Sequence, residues 1–250
     1  MQRHLASLAL YALATMAAAA EYSAQLDWSK RAVLSTPVSG VVDSVSVVTG
    51  EHVTAGQALL KLDQRPFDTA LQDATAQLRK HELLRDEARH ELERTRELYE
   101  RQVISAHDLQ LGEIAFAVAQ ADYTSASAAL NTAKLQHELS TLHAPFDGLL
   151  VAVDVTRGMA VINTQLATPL VILAQDRPMH ALARVDADAL AGLAPGQAAT
   201  VRVNGTRFDG RLRLIGAEPD SNGHYTLTIA FDPGEGTLRA GQPAQVEFNH

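Results

Sequence analysis

The side chains best suited to metal or proton chemistry in this sequence are its ten histidines, which are spread along the whole chain. Imidazole is the commonest metal ligand in proteins, but a site needs several ligands at close spacing. No two of these histidines have the i, i+4 or short-turn spacing of a metal site. Beyond the first twenty residues the only methionines are Met159 and Met179, too few for a soft copper or silver site. We therefore expect no metal and no other cofactor. The histidines considered include His52, His81, His90, His107, His143, His180 and His224.

Motifs for enzyme catalysis are also missing. The chain contains no Gly-x-Ser-x-Gly, no phosphate-binding loop ending in Gly-Lys-Ser/Thr and no His-Glu-x-x-His. Asp186 and Asp188 come nearest to a carboxylate pair, but aspartate is common in turns, where it bonds the local backbone. With no cysteine, the chain lacks disulfides, thiolate zinc sites, cysteine nucleophiles and a lipid-modified cysteine anchor. We predict a non-enzymatic protein.

Composition argues against nucleic acid as a partner. The formal net charge is −8 and only 5% of the residues are aromatic. Binding to duplex DNA depends on cationic contacts to phosphate, and single strands are held by stacking on aromatic rings. The hydrophobic fraction of 46% is ample for packed cores.

The first twenty residues have the pattern of a secretory signal. Arg3 and His4 precede an uncharged run from Leu5 to Ala20, and Ala18 and Ala20 form a small-x-small cleavage site. The run is short of the ~20 strongly apolar residues that span a bilayer. We expect cleavage, with an uncleaved N-terminal anchor as the alternative, and export of the remainder in either case.

A long helix is predicted from near Pro66, which fits the first helical turn. The next stretch, to about Gln102, has no glycine and no second proline. His81 and Arg85 interrupt its apolar stripe, and we expect Leu84 to pack beside them. Opposite charges three or four residues apart on the other faces favour an exposed helix. The stripe has steps of four and three and consists of Phe67, Leu71, Ala74, Leu78, Ala88, Leu92, Thr95 and Tyr99.

A second helix follows, with a more regular stripe that we expect to face the first helix as in a coiled coil. Ser105 is a good N-cap, and Asp108 three residues later makes a weak capping box. A short break between two long helices predicts an antiparallel hairpin, roughly 50 Å long at 1.5 Å per residue. The stripe is Ile114, Val118, Ala121, Ser125, Ala128, Thr132, Leu135, Leu139 and Leu142.

An internal repeat flanks the hairpin. Residues 40–53 and 148–161 superpose at an offset of 108, with glycines at matching positions and a valine at the end of each copy. Each copy alternates apolar and polar residues like a strand and then turns at a glycine. Neither copy has enough strands for its own core. We predict that together they form one small β-sandwich with the hairpin inserted at its centre.

The repeat resembles the biotinyl/lipoyl-carrier fold, in which a modified lysine lies at the turn joining the halves. Here residues 65–141 replace that turn, and Lys61 lies within a predicted strand. A carrier role therefore remains only as an alternative of another class, which the intact mass would test. A lipoyl domain split by a helical hairpin and followed by short strands resembles the periplasmic adaptors, or membrane fusion proteins, of tripartite efflux pumps.

The resemblance implies a multidomain α+β chain: a split lipoyl-like β-sandwich, a long antiparallel hairpin and a small β-barrel. Short strands with Gly, Pro, Asn and Asp between them support the barrel. We expect the family's fourth, membrane-proximal domain to be absent or vestigial. The implied segments are a signal peptide over 1–20, an N-terminal segment over 21–37, the lipoyl-like domain from 38–64 and 142–173, the hairpin over 65–141 and the barrel over 174–250.

The resemblance also implies a docking site for a TolC-type outer-membrane channel at the hairpin tip. Arg94, Leu98 and Ser105 have the spacing of the family's docking residues. Arg94 offers a planar fork of donors to a partner helix, and we expect Leu98 to lie outside the seam marked by Tyr99. The alternatives are a solvated Arg94 paired with Glu91, edge packing by Leu98 and a purely capping Ser105.

By resemblance, the chain is a non-catalytic periplasmic adaptor that self-associates into a ring, with six copies expected. It links an inner-membrane transporter to the outer-membrane channel for export of small molecules. We expect the transporter to be of the proton-driven resistance–nodulation–division class, with an ATP-driven (ABC) exporter or type I secretion system as the alternative. A free-standing coiled-coil scaffold is a further alternative.

Overall fold

A computed structural model describes residues 21–163, 168–234 and 236–248. The predicted signal peptide, residues 1–20, lies outside the described residues. Within them, no helix combines the length and apolarity needed to cross a bilayer. The elements in chain order are β1 (Glu21–Leu34), β2 (Gly40–Val45), β3 (His52–Val53), β4 (Ala58–Leu62), α1 (Arg65–Glu100), α2 (Ala106–Leu139), β5 (Thr141–His143), β6 (Gly148–Val153), β7 (Ala160–Val161), β8 (Val171–Val185), β9 (Ala198–Val203), β10 (Thr206–Ile215), β11 (Tyr225–Phe231) and β12 (Pro243–Phe248).

The chain divides into two compact units. One runs from Arg31 to Ala174, and the other combines the chain up to Lys30 with the part from Gln175 onward. The boundaries fall inside β1 and β8, so each of these strands contributes to both units.

The unit from Arg31 to Ala174 contains both copies of the repeat. β2 and β6 occupy matching positions in the two copies, and so do β3 and β7. The copies exchange partners, because β2 pairs with β7 and β3 pairs with β6, both antiparallel. The prediction that the two distant segments fold as one body is confirmed. Their side chains share one core, which includes Val42, Val53, Leu150 and Val161.

Each copy turns at a glycine with positive φ, +88° at Gly50 and +85° at Gly158. Side-chain-bearing residues rarely adopt this conformation, which explains why the glycines recur at the same position in both copies.

The hairpin leaves the sheet from two neighbouring strands. β4 pairs with β5, and α1 follows β4 while α2 precedes β5. At this base, the Leu62 N–H donates to the Ser140 carbonyl at 2.9 Å, and Gln64 Nε2 donates to Ser140 Oγ at 3.2 Å. Ser140 is fully buried, so its bonds fix both helix ends to the sheet.

The two helices run antiparallel, with a register fixed by contacts between them. Arg96 pairs with Glu113 at 3.5 Å near the tip, and the Arg85 guanidinium carbon lies 4.1 Å from the centre of the Tyr123 ring midway. At the base, Asp68 lies 3.0 Å from His137 Nε2. At ~1.5 Å per residue, α1 and α2 are each about 50 Å long.

The predicted seam of α1 is largely confirmed, because Leu92 is buried and the other apolar members up to Thr95 are partly buried. His81 and Arg85 also lie on this seam, whereas Leu84 is exposed and does not fill in beside them. Tyr99, expected at the end of the seam, is exposed.

The predicted seam of α2 is wrong. Ile114, Val118 and Leu135 are exposed, as are the small residues between them. A second heptad stripe, displaced by two residues, supplies the buried and partly buried positions. Two residues rotate the face by about 200°, so the predicted stripe points away from α1. The residues that face α1 are Leu109, Gly112, Phe116, Ala119, Tyr123, Ala126, Leu130, Ala133 and His137.

The second unit is a β-barrel. Its strands follow the order β1, β12, β9, β10, β11, β8, and β1 pairs again with β8. Residues 21–37, expected as a segment outside the domains, supply β1, whose Glu21–Gln25 pair with β12. Arg202 on β9 binds Glu21 at 3.1 Å and also Glu247 on β12, which fastens β1 to its neighbours. The core includes Met179, Val201, Leu227, Ile229 and Phe248.

Candidate functional site

The tip of the hairpin is a tight, capped connection. After α1 ends, Gln102 adopts φ +58°, and Ser105 caps α2. The Asp108 N–H donates to Ser105 Oγ at 3.2 Å, and the Ser105 N–H donates to Asp108 Oδ2 at 3.1 Å. The capping box expected from the sequence is therefore complete. The Ser105 hydroxyl also donates to Asp108 Oδ2 at 2.7 Å. This bond first, and then the one donated by the Ser105 N–H, hold the pKa of Asp108 below its ordinary value.

Arg94 lies on the solvent side of α1, and its side chain is largely exposed. It forms an ion pair with Glu91, one helical turn earlier. An exposed i, i+3 pair stabilises a helix by less than about 0.5 kcal/mol. The guanidinium can therefore exchange this partner for a carbonyl or carboxylate on another chain at little cost.

Leu98 lies closer to α2 than we expected. It is partly buried, whereas its neighbour Tyr99 is 41% exposed. The expectation that Tyr99 belongs to the seam and Leu98 lies outside it is wrong. The seam therefore runs from Thr95 to Leu98, a step of three residues, and not from Thr95 to Tyr99, a step of four. The helix ends at Glu100, so the heptad pattern does not continue beyond this step. Part of the Leu98 surface remains accessible at the tip.

The tip exposes apolar surface besides the three predicted docking residues. Val103 is 66% exposed, and its N–H donates to the Leu98 carbonyl at 2.9 Å. Tyr99 and Leu111 are also exposed. Tyr99 was not expected at the surface because the apolar pattern placed it in the seam, and Leu111 belongs to neither predicted stripe.

A polar contact interrupts the hairpin seam midway. Arg85 stacks over Tyr123 and binds Asp86 at 2.7 Å. The hydrogen bond to Asp86 is the main reason that the pKa of Arg85 is raised and that of Asp86 is lowered. One turn away, His81 Nδ1 is buried and has no hydrogen-bond partner in the part of the chain described. A polar residue in such a seam fixes the register of the two helices.

A groove of about 490 Å³ lies at the base of the hairpin. Arg65 Nε donates to the two carboxylate oxygens of Asp63 at 2.9 and 3.1 Å, which lowers the pKa of Asp63 to about 2. Arg157 lies 3.4 Å from Asp43 across the groove. Acids and bases alternate there, so the groove offers no net charge to a ligand. Its charged lining consists of Asp43, Lys61, Asp63, Arg65, Asp68 and Arg157.

A second groove, of about 710 Å³, lies on the barrel surface. Its lining combines small residues with Asp209, Arg211, Arg213 and Asp232. Arg211 donates to the Gly196 carbonyl at 3.3 Å. The groove contains both signs of charge and none of the predicted site residues.

Metal binding and a carrier lysine were the two other kinds of site considered for the described residues. Over residues 21–163, 168–234 and 236–248, no group of three or more potential ligands is close enough to hold an ion. Lys61 lies in β4 rather than at a turn.

A family model described as the CzcB-like barrel-sandwich hybrid domain matches residues 30–169, more than half of the chain. The chain belongs to that family. The match covers both copies of the repeat and the hairpin between them, so it rests on the same split sandwich that the repeat predicted.

Similar proteins support this assignment. Macrolide export protein MacA of Escherichia coli O157:H7 is 27% identical over 245 residues, which cover 90% of this chain and 66% of MacA. Multidrug resistance protein MdtA of Yersinia enterocolitica is 29% identical over 146 residues, covering 58% of this chain and 33% of MdtA. The chain therefore spans less than two thirds of the length of these curated relatives.

Among solved structures, membrane fusion protein Spr0693 of Streptococcus pneumoniae R6 superposes with a TM-score of 0.73 at 19% identity, covering 92% of this chain and 98% of that protein. This likeness shows the fold. The resemblance to the membrane fusion proteins and the predicted combination of split sandwich, hairpin and barrel are confirmed.

Proposed function

We propose that this CzcB-like chain is the periplasmic adaptor of a tripartite export assembly. It links an inner-membrane transporter to a TolC-type outer-membrane channel and catalyses no reaction. The names of its relatives, a macrolide export protein and a multidrug resistance protein, support small molecules as the cargo.

The observation that carries this proposal is the hairpin itself. Its two helices leave adjacent strands β4 and β5 and extend for about 50 Å with exposed apolar side chains at the tip. A rod of this length costs conformational entropy and buries only one stripe on itself. Such a structure suits a spacer whose remote end contacts another protein.

Docking through Arg94, Leu98 and Ser105 remains part of the proposal. Arg94 has an exposed side chain, Leu98 is partly accessible and Ser105 lies at the tip. Because the Ser105 hydroxyl is used in the capping box, its contribution to docking comes from its position and its backbone.

We propose that the adaptor self-associates into a ring, with six copies expected from the family resemblance. The exposed stripe of α2 supports self-association, since Ile114, Val118 and Leu135 are all more than half exposed on one helix face, and exposed apolar patches mark protein interaction sites.

Charge reversal at the tip tests the docking site. Arg94→Glu places a second carboxylate beside Glu91, and we expect it to abolish export while the purified chain keeps its helical circular dichroism. Arg89→Glu is a matched control, because Arg89 makes the same i, i+3 pair with Asp86 further from the tip. Export that survives Arg94→Glu, or that fails equally in the control, would remove Arg94 from the docking site.

Crosslinking in cells tests the channel contact directly. The chain has no cysteine, so Ser105→Cys supplies a single reactive thiol at the tip. We expect a crosslink to the outer-membrane channel when all components are expressed. Absence of that crosslink would count against the linking role.

The transporter class is tested by co-purification from membranes. We propose a resistance–nodulation–division transporter, and recovery of an ABC exporter instead would select the alternative.

We also propose that the chain resides in the periplasm after cleavage behind Ala20. Sequencing the N-terminus of the exported protein checks this step.

A further inference from the structure

The face of α2 opposite α1 has large side chains at its ends and small ones at its centre. Ile114 and Val118 near the tip and Leu135 near the base are exposed. Between them, Ala121, Ser125 and Ala128 are exposed as well, and their short side chains leave a depression in the helix surface. The whole stripe carries no charge from Leu111 to Leu135, which is unusual for a solvated helix face.

The outer face of α1 has the complementary shape. Leu83 lies two residues from both His81 and Arg85 of the seam, so it points away from α2, and it is 65% exposed. Lys80 and Glu87 lie one turn on either side of it. Leu83 is therefore a large apolar knob with charged residues one turn away on either side and the half-exposed Leu84 beside it, the pattern of an apolar interface core with a polar rim.

The knob and the depression lie at the same height along the hairpin. Arg85 is stacked on Tyr123, and the helices are antiparallel. Leu83 lies two residues before Arg85 on α1, and Ser125 lies two residues after Tyr123 on α2. Both are therefore about 3 Å closer to the base of the hairpin than that contact. They face opposite sides of the same hairpin and cannot meet within one chain.

We propose that Leu83 of one copy packs between Ala121, Ser125 and Ala128 of the next copy. This inference rests on the ring in the proposed function and names its contact surfaces. Rotation about a ring axis parallel to the hairpins moves no residue along that axis, so Leu83 of each copy meets its neighbour at the height of Ser125. A contact between two different faces repeats from copy to copy, and it forms a ring when the rotation between copies closes. The fit of a large knob into a hole of small residues is that of coiled-coil packing.

Paired cysteines test the contact. The variant carrying both Leu83→Cys and Ser125→Cys is oxidised in solution and analysed without reductant. Both positions are exposed, so we expect the fold to be kept, and circular dichroism checks it. Since the two thiols lie on opposite faces of one hairpin, every disulfide joins two copies. We expect a ladder of covalent oligomers that ends at the ring size.

A matched control moves one cysteine along the same stripe. Thr132 lies two turns from Ser125, about 10 Å along the helix, which exceeds the reach of a disulfide. Leu83→Cys with Thr132→Cys should therefore give no ladder. A ladder from this control, or none from the first pair, overturns the proposed register.

Single variants distinguish the arrangement of the copies. Leu83→Cys alone and Ser125→Cys alone should remain uncrosslinked. A dimer from Ser125→Cys alone means that two α2 helices meet each other, which overturns the proposal. The Ser105→Cys variant, which carries no other cysteine, is tested in parallel for its crosslink to the channel in cells. If it persists while the ladder is absent, the lateral contact is wrong and the adaptor function stands; if both are absent, both fail.

Discussion

Truncating one leucine on each side of α2 tests which face of this helix packs on α1. Leu130 is 8% exposed and lies on the inner stripe, whereas Leu135 is 53% exposed and lies on the outer one. Leu→Ala removes three carbon atoms, each worth about 0.8 kcal/mol when fully buried. Leu130→Ala should therefore lower the free energy of unfolding by about 2 kcal/mol, and by about 3 kcal/mol with a cavity that its small neighbours cannot fill.

The same substitution at Leu135 should be milder. About half of its surface is already in water, so the transfer loss is about 1 kcal/mol, and the higher helix propensity of alanine offsets part of it. Urea unfolding, followed by circular dichroism at 222 nm at a dilution where the chain is monomeric, measures both values. Equal losses in the two variants, or a larger loss for Leu135→Ala, would refute the assignment of the inner face.

Four further predictions concern single positions. Gly112→Ala should raise stability by up to about 1 kcal/mol in the same urea assay, because Gly112 lies in a helix interior and the added Cβ would lie 3.5 Å from the nearest side chain. Gly210→Ala should lower stability, because the added Cβ would lie 2.9 Å from a buried isoleucine. Ser105→Ala should cost about 1 kcal/mol in hairpin stability by removing the cap. The Asp63 carboxyl should titrate in NMR with a midpoint of about 2 and move toward the ordinary 3.8 in Arg65→Gln. Since the folded-state pKa is lowered, the stabilisation by this group is present above pH 3.8 and is lost as the pH falls through 2.

The sandwich could be predicted from sequence because its signals are local and occur twice. Gly50 and Gly158 each adopt a positive φ that few other residues adopt, so the turn requires glycine at the same position in both copies. The alternating strands before them place valines from both copies in one core. Two weak signals at a fixed offset carry more information than either alone.

The orientation of α2 could not be predicted, for a physical reason. The helix has two heptad stripes, and periodicity identifies a buried face without saying what buries it. The stripe with the more uniform aliphatic residues was assigned to α1. In the structure, a stripe interrupted by Gly112, Tyr123 and His137 packs there instead, since these residues match Leu92, Arg85 and Asp68 on α1.

The docking residues illustrate a different limit. Ser105 could be placed at the tip because its cap is a local pattern, and the structure contains that cap. The burial of Leu98 depends on where the seam ends, which is set by the turn through Gln102 and not by the heptad. Whether Arg94 binds a second protein depends on a surface outside this chain.

The exchange of strands between the two halves of the sandwich has a consequence for the order of folding. Pairing β4 with β5 requires the chain to close a loop as long as the entire hairpin, which is entropically unfavourable for a disordered segment. A hairpin that zips from its capped tip toward its base replaces that search with a series of short-range steps, each adding neighbouring residues. We therefore infer that the hairpin folds first and brings β5 next to β4. The strands exchanged between the two halves can then pair and complete the core.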